Sequence, residues 1–152
     1  MYSREDASRI KHEFWTTLGR YMKPIPSAEG LKINWVNYHT GLKQIYFRMD
    51  AASRNATIAI SIEHDDAHVR ELYFHQFLEQ KKFLEDILQE QWIWQLHSHM
   101  NDKTISRIYR EIANVSVFNK DHWPDLISFF KPRIIALDQY WHLAKYSFEP
   151  LG

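Results

Sequence analysis

The longest unbroken helical pattern in the chain runs from Asp65 to Gln91. At 100° per residue, Val69, Leu72, Tyr73, Phe77, Phe83, Leu84, Ile87 and Leu88 fall in one wide apolar stripe, and Glu71, His75, Lys82, Asp86 and Gln89 lie opposite. Asp65 or Asp66 supplies an N-cap carboxylate, and neither Gly nor Pro interrupts the run. The pattern predicts one helix of about 25 residues, roughly 38 Å long, lying across a sheet. A second stripe, Ala7, Ile10, Phe14, Leu18 and Tyr21, predicts a first helix to about Met22, with Ser3 as its cap and Asp6 as a weak capping-box partner. Lys23-Pro24-Ile25-Pro26-Ser27 stops it, because the residue before each proline is pushed out of the α region.

Between these helices the period falls to two. Alternation predicts strands over 31–38, 42–50 and 56–63, the first two joined by a His39-Thr40-Gly41 hairpin loop. The third places Ile58, Ile60 and Ile62 on one face and the smaller Thr57, Ala59 and Ser61 on the other. Beyond the long helix, 92–97 and 104–112 predict a second hairpin turning through 99–103, and 115–118 adds a short extended piece. Asn119 or Asp121 then caps a last helical region with Pro124 near its first position, and Pro132 predicts a kink or a split into 123–130 and 132–146. The order is α-β-β-β-α-β-β-α. It defines an α+β fold over residues 1–152: a mainly antiparallel sheet of about five strands flanked by helices, in one domain.

Composition adds exclusions. With 19 basic and 19 acidic residues, no whole-molecule field draws the chain to nucleic acid or to an anionic membrane. The chain has no cysteine, which removes disulfides, thiol catalysis and thiolate-bound zinc. It has no signal-peptide pattern and no run of apolar residues long enough to span a bilayer, so a cytoplasmic setting is expected. Six Trp, eight Tyr and nine Phe suit either a dense core or an adhesive face. Aromatics on more than one side of the last helix, Phe129, Phe130, Tyr140, Trp141, Tyr146 and Phe148, point to a homodimer or protein partner through the C-terminal helical region.

Four groups of residues could carry chemistry. The element order of the first 98 residues, α-β-β-β-α-β, matches the core of restriction-endonuclease-like nucleases, with Asp50 and Glu63 as strand-end acids for Mg²⁺. Glu63 lacks the lysine two residues on that such sites use, which favours a degenerate scaffold. His64 and His68 stand four apart at a strand-to-helix junction and complete a candidate metal set with Asp50 and Glu63; His97 and His99 form a further pair on one strand face. Lys103, Arg107 and Tyr109 share a predicted strand face and, with Arg110, form a candidate nucleic-acid patch that Lys43 and Arg48 could widen, or that Glu111, Asp102 and Asp50 could neutralise. Gln76 and Gln80 fall within the apolar stripe of the long helix, where buried amides bond one another or a strand side chain, or line a polar cleft. No serine sits in a Gly-x-Ser-x-Gly setting and no glycine-rich phosphate loop is present, so no cofactor is expected.

Phe14-Trp15, Trp35, Glu71-Leu72-Tyr73-Phe74 with Phe77-Leu78 and Lys81, Trp92-x-Trp94, and Trp123 leading into Leu126-Ile127 span nearly the whole chain. On these residues the chain resembles a family of uncharacterised bacterial domains that also occurs C-terminal to restriction-endonuclease-like nuclease domains. The motifs are aromatic and structural, and the resemblance carries over no catalytic residue. The reading that follows is a non-enzymatic interaction or accessory module; the alternatives are a weak, sequence-tolerant nucleic-acid-binding domain or a degenerate nuclease.

Overall fold

The computed structural model describes residues 3–151. Helix α1 (Arg4–Met22) starts at Ser3, whose hydroxyl accepts the Asp6 N–H at 3.1 Å, and buries Phe14, Leu18 and Met22. Strands β1 (Ile45–Ala51) and β2 (Asn55–Ile62) follow as an antiparallel pair. Next come α2 (Ala67–Glu79) and α3 (Lys81–Leu88), then β3 (Ile93–Met100) and β4 (Lys103–Ala113), and finally α4 (Trp123–Ala144). The sheet has four strands in the order β1-β2-β4-β3, with every neighbouring pair antiparallel.

Side chains alternate between the two faces of the strands, and at the centre of β2 both faces are buried. Ile45 and Phe47 on β1, Ile58, Ile60 and Ile62 on β2, and Ile108 on β4 face a core completed by Tyr73, Phe74 and Phe77 of α2 and by α4. Helices α2 and α4 contact the sheet, while α1 and α3 pack on α4. The β3–β4 turn is the two-residue Asn101-Asp102, both at positive φ (49° and 64°), as a tight hairpin requires and as these two residue types tolerate.

Several expectations change. Residues 31–38 form no strand. Their side chains are spent on docking: the Trp35 indole donates to the Ile25 carbonyl (2.9 Å), the Tyr38 hydroxyl to Asp138 Oδ1 (2.6 Å), and Asn34 Oδ1 accepts from the Asn37 amide (3.1 Å). The segment therefore lies against α4 as an irregular loop, anchored also by the Trp141 indole donating to the Thr40 carbonyl at 2.7 Å. Residues 115–118, expected as a short extended piece, run outside the sheet, with the Val115 and Val117 amides donating to the Arg54 and Ala52 carbonyls at 3.4 and 3.0 Å. The sheet has four strands and not five, and the order that matched a nuclease core becomes α-β-β-α-α-β-β-α.

The helix expected over Asp65–Gln91 is two helices meeting at Gln80 (φ −104°, ψ 12°). The Gln80 amide donates to Ser147 Oγ (2.7 Å) and its oxygen accepts the Tyr140 hydroxyl (2.5 Å), so its partners lie in the C-terminal segment and not on Gln76 or a strand. A straight helix from 67 to 88 would run on for about 33 Å. The break instead lets Leu84 and Leu88 turn onto α4. The cap is Asp66, which accepts the His68 and Val69 amides.

Pro132 lies within α4 without splitting it. It removes the N–H that would reach the Ser128 carbonyl, but Phe129 and Phe130 before it and Ile134 and Leu137 after it are all buried, so packing holds both halves in register. Arg133 Nη1 donates to the Phe129 carbonyl at 2.9 Å. The C-terminal aromatics are also reassigned: Phe129, Phe130, Tyr140, Trp141 and Phe148 are at most 4% exposed and only Tyr146 of that group is exposed, at 60%. The aromatic excess is core, which removes the support for a dimer through this region. Tyr21, placed in the first stripe, is also exposed, and Met22 takes its place.

Candidate binding face of the sheet

With α2 and α4 on one side of the sheet, the residues out of step with the core form a second surface. Register arranges them in rows: Asp50, Thr57 and Glu111; then Arg48, Ala59, Tyr109 and Ile93; then Tyr46, Ser61, Arg107 and Gln95. Ile105 pairs with Ser98 and Lys103 with Met100 at the far end. Ala59 and Ser61 keep the centre of this face low, so long side chains from β1 and β4 lean over it and leave Ile105 and Tyr109 below 9% exposure.

Glu63 organises the basic end. Its carboxylate is 8% exposed and accepts from Arg48 Nε (2.9 Å), Arg48 Nη2 (3.1 Å), Lys103 Nζ (2.7 Å) and Ser61 Oγ (2.8 Å). Burial pushes its pKa up, but the combined bonds from Arg48, Lys103 and Ser61 outweigh burial and bring it down to about 2. The two arginines are braced from below. Arg48 lies 4.0 Å from the Tyr46 ring centroid, and Arg107 lies 3.8 Å from that of Tyr109 while donating through Nε to Gln95 Oε1 at 2.9 Å.

The nucleic-acid candidates therefore divide. Lys103, Arg107 and Tyr109 share the bare face. Arg110 is on the opposite side, where its guanidinium meets Glu90 at 3.5 Å and the Gln91 carbonyl at 3.0 Å. Arg48 joins the first three, and Glu63, more than the anticipated Glu111 or Asp102, supplies their counter-charge. Glu111 instead accepts from the Asn55 amide at 2.6 Å.

The metal candidates are separated. Asp50 pairs with Thr57, six positions before Glu63 on the same strand, a separation of about 20 Å at ~3.3 Å per residue. His64 Nδ1 accepts the Asp66 amide at 3.0 Å, and the His68 side chain is 97% exposed. Among the described residues no group of three or more His, Asp or Glu is placed to hold an ion. His97 lies in a bulge between Gln95 and Ser98 at φ 57°, and His99 stands opposite Thr104, so the two rings have separate partners. The His97 ring instead meets Glu71 Oε1 at 3.1 Å and accepts from Arg70 Nε at 3.3 Å.

Two polar groups went unread in the sequence. Arg70, 6% exposed, donates through Nη1 to the His64 and Asp65 carbonyls (2.7 and 2.9 Å), closing the turn into α2. Asp138, 5% exposed, accepts the Tyr38 hydroxyl and the Ala28 amide (2.7 Å), pinning the long loop to α4 beside a 340 Å³ cavity rimmed by Glu29, His142 and Lys145. Neither could be found from periodicity, since each partner is remote or lies outside a regular element.

The molecule is thus an open-faced α+β domain with a charge-patterned sheet surface and no assembled catalytic cluster among the groups read above. The chain matches the family described as Domain of unknown function (DUF4268) over residues 10–145, and it belongs to that family. No curated protein and no solved structure matches it. Among the described residues no helix is long and apolar enough to cross a membrane.

Proposed function

We propose that this chain is a non-enzymatic binding module that meets its partner with the bare face of the sheet. The observation that carries the reading is the ordered side-chain array on an uncovered surface. Two arginines stack on tyrosines, one buried carboxylate holds Arg48 and Lys103, and Gln95 holds Arg107, in a composition rich in the Tyr and Arg that dominate contact energies. We place the module in the bacterial cytoplasm as an accessory domain, and assign self-association, if it occurs, to this face instead of the C-terminal helix.

Weak single-stranded nucleic-acid binding is the second reading. The stacked Arg107–Tyr109 pair beside Lys103 favours it, and Asp50 and Glu111 at the other end limit its reach. The test is a backbone-amide NMR titration with single- and double-stranded oligonucleotides at low salt, alongside a concentration series of the protein alone. Changes confined to Thr57, Ala59, Ser61, Ile105 and Arg107 in either series support the face. Changes centred on α4 and the 27–40 loop would reject it, and Mg²⁺-dependent strand cleavage would reject the non-enzymatic part.

A further inference from the structure

The basic end of the bare face has more donors than its own acceptors use. Arg48 commits Nε and Nη2 to Glu63, Lys103 commits one N–H to the same carboxylate, and Arg107 commits Nε to Gln95. That leaves Nη1 of Arg48, two ammonium protons of Lys103 and the two terminal nitrogens of Arg107. All three side chains, with Ser61 and Asn101, line one shallow cavity of about 390 Å³. The charges of Arg48, Lys103 and Arg107, less those of Glu63 and Asp50, leave the whole lining one positive charge in surplus; at the basic end, away from Asp50, the surplus is two.

We propose that this cavity is a site for a phosphate monoester dianion, with Arg107 and Lys103 as its direct ligands and Glu63 as the positioning residue that holds Arg48 and Lys103 in place. The surplus at the basic end matches the charge of the dianion. Arg107 arrives already oriented, because Gln95 and the Tyr109 ring restrain its plane, and a planar guanidinium suits two oxygens of one phosphate. Asp50 stands at the far end of the same cavity with Glu111 in the same row of the sheet, so the favourable field covers one phosphate and then reverses. A ligand with one terminal phosphate fits this pattern better than a long polyanion. The inference rests on the bare face being the binding face, and it adds the ligand's chemistry.

The experiment is an NMR titration read at the Arg48 and Arg107 side-chain Nε–H signals and at the Ser61 and Lys103 amides. Inorganic phosphate should shift them saturably, with a Kd on the order of 1 mM, while equal ionic strength of chloride should not. A nucleoside 5′-monophosphate should bind at least as well and the unphosphorylated nucleoside should not bind. An internal phosphodiester, as a monoanion, should bind several-fold more weakly. Arg107→Gln and Lys103→Gln, both on the surface, should each weaken phosphate binding about fivefold. Glu63→Gln decides between arrangement and field alone: it adds one positive charge, so a field would tighten binding, whereas loss of the held geometry weakens it.

Shifts spread over the surface, indifference to Arg107→Gln, or tighter binding in a folded Glu63→Gln would overturn the proposal. The two surface variants settle the matter if that third variant does not fold. Oligonucleotide or self-association shifts on the same face, without any response to phosphate, would leave the binding-module reading standing and remove this one.

Discussion

Along β2, Ile58, Ile60 and Ile62 enter an aromatic core, while Thr57, Ala59 and Ser61, one residue out of step, open onto a polar surface. The same strands thus build two regions of opposite kind. On the covered side, rings meet rings: Phe77 contacts Phe148 at 4.3 Å between centroids and Trp141 at 6.2 Å, and Phe47 meets Trp141 at 5.9 Å. On the bare side, rings carry cations. The covered region spends its aromatics on burial, whereas the bare region uses Tyr46 and Tyr109 to support charged groups that still have bonds to give. Stability should therefore reside on one side and recognition on the other.

The largest expected effect tests the covered side. Phe77 is fully buried at the junction of α2, α4 and the C-terminal turn, so Phe77→Ala should cost about 3–5 kcal/mol in urea unfolding. A loss below about 1 kcal/mol would mean that the core is not centred there. Asp138→Ala comes next, because it leaves the Tyr38 hydroxyl and the Ala28 amide without an acceptor. A cost of about 2–3 kcal/mol is expected, with faster amide exchange over residues 27–40. Unchanged exchange there would show that the loop is held by something else.

Glu63 sharpens the contrast, since it is the one strongly stabilising group expected on the bare side. Its folded pKa of about 2 lies below the ordinary 4.5, so its contribution is complete above pH 4.5 and disappears as pH falls toward 2. With its two cations about half exposed, we expect on the order of 2 kcal/mol after solvent screening. The difference in unfolding free energy between the native chain and Glu63→Gln should shrink across that window; a difference independent of pH would refute the linkage. The smallest effect belongs to Arg107→Gln, whose stability should change by less than about 0.5 kcal/mol while ligand shifts on the face are reduced. Comparable damage to stability would make Arg107 a structural residue and blur the distinction between the two sides.

Where one segment carried its own signal, the sequence reading held. The Ser3 and Asp66 caps and the register-bearing alternation of β2 depend on residues a few positions apart, and each lies where local chemistry puts it; the turn expected over 99–103 falls within that span and tightens to Asn101-Asp102. Readings that depended on what a segment packs against did not hold. Residues 31–38 alternate like a strand, yet Trp35 and Tyr38 find better partners in the Ile25 carbonyl and Asp138. The long apolar stripe continues through Gln80, yet Tyr140 and Ser147 hold that amide at a bend.

For the candidate site, the sequence could place Lys103, Arg107 and Tyr109 on one strand face, because side chains alternate with a period of two. It could not bring Glu63 to Lys103, a contact between residues 40 apart in sequence, or keep Asp50 away from Glu63. Local preferences determine helices, caps and turns because their interactions close within a few residues. Which face of the sheet is covered, and therefore which charges stay open to a ligand, was decided by the antiparallel register of β2 with β1 and β4 and by α2 and α4 packing on the isoleucine side.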